Sequence, residues 1–253
     1  MEDVEALQIG PKEDVAERKK RAESFKHKPI IITIYSGTIR RTGKSTIAAN
    51  LAAYISLYTS VLLVDLDGTS SLLHGVWLAP GEVGVLQAWL AGLSPNVKPS
   101  AKVPRVHVMP PGAAIVKRHV EVEPLRSIIW RYAPSLAIVD TPADGIIGDL
   151  ALRIGDLALI VLRNADGFED IAKRAGKLLF ERRTIAVANM ETSPIELDSP
   201  FPVFHLPYSR EVSEYRDVFV AADPKTDDGK KWQNAFANFA KELISIYLST
   251  RLS

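Results

Sequence analysis

A lysine followed by two hydroxyl residues lies in a segment that could bind phosphate. Residues 36–46 read SGTIRRTGKST, after an apolar run and before residues with helical spacing. A phosphate-binding loop needs inward-pointing backbone N–H groups, a lysine that reaches the outer phosphates and a hydroxyl group that binds Mg²⁺. The sequence therefore predicts a nucleotide phosphate site in this segment, which we call the phosphate loop. Its candidate binding residues are Thr42, Gly43, Lys44, Ser45 and Thr46.

The first half of the phosphate loop departs from the usual pattern. That pattern has a second glycine five residues before Gly43, where this chain has Thr38. The next three positions are Ile39, Arg40 and Arg41. A β-branched residue and two bulky arginines tolerate a positive φ poorly, so we expect that this loop cannot copy the backbone of a glycine-rich loop unchanged.

Three aspartates follow apolar runs of strand length. Asp65 and Asp67 end the run VLLVDLD, and Asp140 ends LAIVD. Ligands in open α/β sheets bind at the carboxyl ends of strands, so these carboxylates should converge on Lys44. One carboxylate can hold Mg²⁺ together with Ser45, and another can orient an attacking water. The alternative is that each aspartate caps the helix that follows it.

The elements that would position these residues alternate along the chain. The predicted strands are IIITIY, SVLLVDLD, VHVMPPG, SLAIVDTP, LALIVLR, TIAVANM and PVFHLPY. The predicted helices are STIAANLAAYISLY, GVLQAWLAGL, LRSIIWRYA, DLALRIG, EDIAKRAGKLLFE and KWQNAFANFAKELISIYLSTR. Strands that are apolar almost throughout indicate a parallel sheet covered on both faces. We predict an α/β fold with one doubly wound, mainly parallel sheet, over residues 29–253.

Composition limits the remaining classes. The chain has 253 residues, 47% of them hydrophobic, which is enough for one α/β domain. A net charge of +1 argues against binding nucleic acid with the whole surface, while a local basic patch remains open. The chain has no cysteine, which excludes disulfides, thiolate metal sites and cysteine-ligated iron–sulfur clusters.

The ends and the hydropathy of the chain predict its location. Residues 1–28 are rich in charged residues and are expected to form a solvated arm. No apolar run approaches the ~18 residues that cross a bilayer. The acidic, charged N-terminus is unlike a signal peptide. We therefore expect a cytoplasmic protein.

From about residue 30 onward the sequence resembles the ParA/MinD group of P-loop ATPases. The resembling segments are TGKSTIAANLA, VLLVDLDGTSSL, VMPPG, LAIVDTPAD with GDLALIVLR, VANM and LPYSREVSEY, in the order of the family. The resemblance implies that ATP or ADP binds with Mg²⁺, with Lys44 as the phosphate lysine and Ser45 as the Mg²⁺ hydroxyl. It also implies that Asp67 positions water, that Asp65 lies near the metal and that Asp140 reaches the metal through water.

The same resemblance implies a site for the adenine ring and shows a departure. Asn189 matches an asparagine that these proteins present to adenine, and Pro207 begins the loop that covers the ring. Members carry a lysine and two glycines where this chain has Ile39, Arg40 and Arg41, and that lysine reaches the phosphates of a dimer partner. Arginine donates paired hydrogen bonds to phosphate, so Arg40 or Arg41 could replace the lysine, in cis or across a dimer. The competing interpretation is a loop that binds nucleotide weakly or without turnover.

The resemblance further implies a homodimer that forms with ATP and partitions plasmid or chromosomal DNA, or positions other cargo. Its relatives bind DNA or membrane, and a ParB-like or other partner stimulates hydrolysis. A membrane is the less favoured surface, since the apolar face of the closing helix should pack on the sheet. The basic candidates for binding DNA are Lys117, Arg118, His119, Arg126, Arg131, Lys173, Arg174, Lys177, Arg182 and Arg183.

Two other functions stay open. The chain also resembles bacterial tyrosine kinases, which lack the cross-dimer lysine too, although its C-terminal segment offers only Tyr247 in place of their tyrosine cluster. The divergent phosphate loop also suits a nucleotide-binding regulator or adaptor without efficient hydrolysis. The iron–sulfur scaffold branch of the family is excluded, since the chain has no cysteine.

Overall fold

The computed structural model describes residues 28–117, 119–143, 145–163, 166–181, 183–192, 199–214 and 224–252. Within these residues the strands are β1 Ile30–Tyr35, β2 Val61–Asp65, β3 Lys98–Pro99, β4 Val106–Met109, β5 Leu136–Asp140, β6 Leu157–Leu162, β7 Arg183–Glu191 and β8 Val203–Pro207. The helices are α1 Lys44–Ile55, α2 Thr69–Leu73, α3 Val85–Ala91, α4 Glu123–Tyr132, α5 Ile146–Leu152, α6 Asp166–Phe180, α7 Arg210–Glu214 and α8 Asp227–Leu252.

These strands form one sheet in the order β3-β4-β2-β5-β1-β6-β7-β8. All neighbouring strands are parallel except β3, which pairs antiparallel with β4. β1 lies between β5 and β6, so the segment that follows it begins near the middle of the carboxyl edge. The predicted fold class is therefore confirmed.

Both faces of the sheet are buried, which explains why its strands are continuously apolar. On one face Ile34 and Leu63 pack in a cluster with Leu51 of α1 and Phe236 of α8. On the other face Leu62 packs in a cluster with residues of α3, α4 and α5. Each fully buried Leu, Ile or Phe contributes about 1.5–3 kcal/mol relative to exposure, so both layers of helices stabilise the sheet.

The closing helix packs on the sheet, as the sequence predicted. In α8, Phe236, Phe239 and Leu243 are buried in the first cluster, and Ile246 packs against it. The helix begins at Asp227, four residues before the predicted start at Lys231. Among the described residues, no helix is both long and apolar enough to span a membrane.

Three short elements were not predicted. β3 has two residues, too few for a periodic pattern. α2 and α7 have five residues each, and a carboxylate from outside each helix accepts hydrogen bonds from backbone N–H groups of its first turn. Backbone N–H groups of Arg210 and Glu211, in α7, donate to Asp228, a residue of α8. Such long-range contacts cannot be inferred from local sequence.

The N-terminal arm stays a prediction, because residues 1–27 lie outside the described residues. At the described boundary, the Nζ atom of Lys28 lies 4.5 Å from the ring centroid of Trp130 in α4. Pro29 is buried where β1 begins.

Candidate nucleotide-binding site

The phosphate loop connects the end of β1 to the start of α1. Gly43 is the residue before the helix and has a left-handed φ of 89°. A Cβ atom at this position would lie 2.2 Å from the Nδ2 atom of Asn189. Glycine is therefore required here both by the backbone conformation and by the close approach of a side chain.

A small turn organises the first half of the loop. The backbone N–H of Ile39 donates to the carbonyl of Ser36 at 3.0 Å, and the Ser36 hydroxyl donates to the Ile39 carbonyl at 2.8 Å. Gly37 lies inside this turn with a φ of 58°. The left-handed residue is thus Gly37, one position before the place where the usual pattern has its glycine.

Only one of the three divergent positions takes a left-handed conformation. Arg41 has a φ of 58°, whereas the φ angles of Ile39 and Arg40 are not positive. A left-handed conformation costs a residue with a Cβ atom about 1–2 kcal/mol. We expected all three residues to avoid a positive φ. Ile39 and Arg40 do so, while Arg41 adopts a φ that is typical of glycine. Arg40 and Arg41 are both exposed.

Lys44 begins α1 and is buried, with 7% of its surface exposed. Burial lowers the pKa of Lys44, while the negative charges of Asp140 and Asp67 oppose that effect. The lysine therefore lies near two of the three aspartates that the sequence predicted to converge on it, while the charge of Asp65 is not among those that act on its pKa. The side chain of Thr42 is also buried, and its hydroxyl has no hydrogen-bond partner in the part of the chain that the structure describes.

Asp65 and Asp140 are direct neighbours on adjacent strands. Their Cα atoms are partners in the β2–β5 register, and both residues are fully buried. The backbone N–H of Leu66 donates to the Asp140 carbonyl at 2.9 Å, and the Thr141 hydroxyl donates to the Ile34 carbonyl at 2.7 Å. These contacts hold the ends of β1, β2 and β5 together beneath the phosphate loop.

Neither oxygen of the Asp140 carboxylate has a hydrogen-bond partner among the described residues. Burial raises its pKa, and the charge of Asp65 raises it further. The hydroxyls of Ser45 and Ser70 oppose this rise, although neither forms a hydrogen bond of ordinary geometry with Asp140. An unpaired buried carboxylate is costly, so Asp140 requires a proton or a cation.

The donors around Asp140 suit Mg²⁺. This ion prefers oxygen ligands and is held by one or two carboxylates together with substrate phosphates and water. The described residues contain no group of three or more His, Cys, Asp or Glu side chains that could hold a metal. A metal at Asp140 and Ser45 would thus need oxygens from a bound phosphate.

Asp65 holds the turn that leads into α2. Its Oδ1 accepts hydrogen bonds from the backbone N–H groups of Asp67 and Gly68 at 2.9 and 2.6 Å, and its Oδ2 accepts from that of Ser71 at 2.7 Å. Burial raises the pKa of Asp65, and these hydrogen bonds oppose the rise. The capping alternative thus describes Asp65 well. Its predicted place near a metal stays a prediction.

Asp67 is exposed, unlike the two buried aspartates. Its Oδ2 accepts a hydrogen bond from the Thr69 hydroxyl at 2.9 Å, which orients the carboxylate at the start of α2. Its charge acts on Lys44. An oriented, solvent-accessible carboxylate beside the lysine has the properties of a group that positions water.

Asn189 and Pro207, predicted to contact adenine, line one narrow crevice at the edge of the loop. Thr46 and Ile47 of α1 form one wall and Trp232 of α8 forms another; the remaining lining residues are Met190, Ser209, Val212 and Ser213. The Nδ2 atom of Asn189 donates to the carbonyl of Thr42 at 2.8 Å. The structure therefore joins the predicted adenine residues to the phosphate loop, and a role in contacting adenine stays a prediction.

Sequence reasoning missed the two serines of α2. Ser70 and Ser71 are buried, and within the described ranges neither hydroxyl has a hydrogen-bond partner. They oppose the raised pKa values of Asp140 and Asp65, respectively. The signal was present in the run of hydroxyl residues, TSS, directly after Asp67 and Gly68.

The predicted basic surface is partly neutralised by carboxylates. Four of its members form ion pairs: Arg126 with Glu123 (2.9 Å), Arg174 with Asp149 (2.9 Å), Lys173 with Glu169 (3.4 Å) and Lys177 with Glu181 (3.8 Å). Arg183 donates to the carbonyl of Ile246, while Lys117, His119 and Arg131 are exposed. Arg118 and Arg182 lie outside the described residues. The face of α6 is therefore less positive than its sequence suggests.

Solved structures with similar folds have low sequence identity. The septum site-determining protein MinD of Pyrococcus horikoshii, complexed with Mg-ADP, is 20% identical, with a TM-score of 0.67 over 85% of this chain and 96% of that chain. A plasmid partition protein of Borrelia burgdorferi bound to AMPPNP is 15% identical, with a TM-score of 0.65 over 85% and 100%. A chain of the MinC:MinD cell division protein complex of Aquifex aeolicus is 17% identical, with a TM-score of 0.68 over 85% and 96%.

No protein-family model matches the sequence, and no curated protein sequence matches it. At these identities the structural likeness shows the fold. The chain has the fold of the ParA/MinD-type P-loop ATPases, which confirms the fold that the resemblance implied.

The left-handed conformation of Arg41 predicts a stabilising substitution. Arg41→Gly should raise the free energy of unfolding by about 1 kcal/mol, because glycine adopts this φ without strain. In the matched variant Arg40→Gly no such strain is relieved. Its free energy of unfolding should fall by about 0.5 kcal/mol, because glycine gives the unfolded chain more conformational freedom. Urea unfolding of the ligand-free protein measures both values. Equal effects of the two substitutions would contradict the assigned strain.

Replacing the buried Asp140 with an uncharged residue should increase the stability of the fold, by an amount that depends on pH. A carboxyl with a raised pKa in the folded state stabilises the fold below its ordinary pKa of ~4, and this contribution is lost as the pH rises. Without Mg²⁺ and nucleotide, Asp140→Asn should therefore be more stable than the wild type by at least about 1 kcal/mol at pH 8. The difference should shrink toward pH 5.

Urea unfolding at the two pH values tests this expectation. Asp67→Asn is the matched control, since the exposed carboxylate should change stability by less than about 0.5 kcal/mol at either pH. A loss of stability in Asp140→Asn at pH 8 would show that the ligand-free site already satisfies this carboxylate.

Proposed function

We propose that this chain binds ATP with Mg²⁺ at the carboxyl edge of its sheet and hydrolyses it slowly. The observation that carries the proposal is the fully buried Asp140 carboxylate, which has no hydrogen-bond partner in the described part of the chain and lies beside the Ser45 hydroxyl and near the buried Lys44. The charges of Lys44, Asp140 and Asp67 offset one another only in part. A magnesium polyphosphate would supply a cation for Asp140 and an anion for Lys44. The structures of similar fold that contain Mg-ADP and AMPPNP support an adenine nucleotide.

Each residue then has a distinct role in the proposed reaction. Lys44 binds the outer phosphate oxygens, and Ser45 and Asp140 hold Mg²⁺, which neutralises charge on the phosphates when bound. Asp67 orients the water that attacks the terminal phosphorus, and Asp65 keeps Asp67 in place through the turn before α2. Arg40 or Arg41 donates to the phosphate oxygens, within one chain or across a dimer.

The proposed cellular role is that of a cytoplasmic, nucleotide-dependent homodimer in DNA partitioning or in the positioning of another cargo. The common fold with a MinD protein, a plasmid partition protein and a MinC:MinD complex supports this class and a protein partner. In the proposal, that partner stimulates turnover. The ion pairs on α6 favour a protein surface over DNA as the binding target of that helix. The divergent loop supports the second candidate, a nucleotide-binding regulator without efficient hydrolysis.

Two substitutions separate binding from hydrolysis. Lys44→Ala should lower ATP affinity by about 100-fold or more, because the loop loses its charged phosphate ligand. Asp67→Ala should keep ATP affinity within about threefold and reduce turnover by about 100-fold, since only the attacking water loses its partner. Calorimetric titration and phosphate release measure these values. Unchanged ATP affinity in Lys44→Ala would contradict the proposed site.

Substituting Arg40 and Arg41 tests whether the chain works as an ATPase or as a regulator without hydrolysis. If they replace the cross-dimer lysine, the double variant Arg40→Ala, Arg41→Ala should still bind ADP but lose ATP-dependent dimerisation or lose turnover by about 100-fold. Light-scattering mass and phosphate release, each with and without duplex DNA, report both properties. Normal turnover in the double variant would contradict the role of the arginines.

The wild type distinguishes the candidate functions in the same experiments. ATP binding without phosphate release, under all conditions, would favour the regulator. Transfer of labelled phosphate to the protein itself would favour the kinase alternative.

A further inference from the structure

The end of β7 contacts the phosphate loop directly. The Asn189 side chain is buried, and its Nδ2 atom donates to the carbonyl of Thr42 at 2.8 Å. The two residues are 147 positions apart in the chain, so this hydrogen bond is a tertiary contact between the loop and a distant strand. It joins the loop at the residue between the left-handed Arg41 and the left-handed Gly43.

The backbone around Asn189 is shaped for this contact. The register between β7 and β8 shifts between Asn189 and Glu191, and Met190 between them has a left-handed φ of 60°. A non-glycine residue in this region is uncommon and strained, and such residues concentrate at functional sites. On the opposite side, the missing Cβ atom of Gly43 leaves the space that the Asn189 amide occupies.

The hydrogen bond acts on one particular peptide plane of the loop. A peptide unit is planar and trans, so the carbonyl of Thr42 and the N–H of Gly43 point in opposite directions. Holding the carbonyl against Asn189 therefore fixes the direction of the Gly43 N–H. Backbone N–H groups are the main phosphate donors of such loops, and this N–H is one of them.

We infer that Asn189 is a positioning residue for phosphate: its side-chain amide holds the phosphate loop in the conformation that binds a polyphosphate. The inference rests on the proposed function, and it differs from a contact with the adenine ring because it requires no base. A glycine-poor loop needs such a contact, since Arg41 is held in a conformation that its own sequence disfavours.

A ligand without a base tests the inference. Inorganic tripolyphosphate with Mg²⁺ can contact the phosphate loop but offers no adenine ring. Asn189→Asp keeps the size of the side chain, removes the donor and places a carboxylate against the Thr42 carbonyl. In calorimetric titrations of the full chain, this variant should bind both ATP and tripolyphosphate about tenfold more weakly or worse.

Two controls separate positioning from general damage. Asn50 is also buried and donates to a backbone carbonyl, that of Thr46, at 2.9 Å. Asn50→Asp makes the same chemical change away from the Thr42 peptide and should keep tripolyphosphate affinity within about threefold. At pH 5 a buried aspartic acid regains a donor, so the affinity ratio of wild type to Asn189→Asp should narrow. Asn189→Ser, which is too short to reach the carbonyl, should show the same loss without recovery at pH 5.

The outcomes are distinct. Weaker ATP binding in Asn189→Asp and Asn189→Ser with unchanged tripolyphosphate affinity overturns the inference and leaves Asn189 as a contact for the base. Unchanged affinity for both ligands also overturns it. A wild-type chain that binds neither ligand overturns the proposed function itself.

Discussion

Two buried carboxylates on adjacent strands constrain the whole carboxyl edge of the sheet. Asp65 and Asp140 are partners in the register of β2 and β5, and both are fully buried. The charge of Asp65 helps to raise the pKa of Asp140. The two carboxylates differ in their hydrogen bonds. Three backbone N–H groups satisfy Asp65, whereas no group of the described residues satisfies Asp140. The fold thus stabilises one carboxylate as a structural anchor and leaves the other to a proton or a cation.

The sheet topology brings the remaining groups to these carboxylates. Because β1 pairs with β5, and β5 with β2, the phosphate loop starts beside both aspartates. The helices α1 and α2 then present Ser45 and Ser70 to Asp140 from two directions. Every group therefore comes from the end of a parallel strand or the start of the next helix, which is where such sheets bind ligands.

The sequence was sufficient for the features that depend on pattern. Continuous apolar runs identified seven of the described strands, and aspartates at the ends of two of them located the site. The sequence was not sufficient to predict features that depend on contacts between distant segments of the chain. The hydrogen bond from Asn189 to Thr42, the ion pair of Arg174 with Asp149 and the α7 contacts to Asp228 each join segments far apart in the chain. Local spacing also could not show which of Ile39, Arg40 and Arg41 would adopt a left-handed φ.

The divergent loop illustrates why residue identity and backbone geometry must be considered separately. Glycines in a phosphate loop matter because they allow backbone N–H groups to converge on an anion. In this chain Gly37 and Gly43 provide two such positions, and Arg41 adopts a third left-handed φ without being glycine. The next residue, Thr42, is held from outside the loop sequence, because its carbonyl accepts a hydrogen bond from the Asn189 amide. A glycine-poor loop therefore depends on tertiary structure for the geometry that a glycine-rich loop obtains locally, and in our inference its affinity for polyphosphate depends on the contact with Asn189.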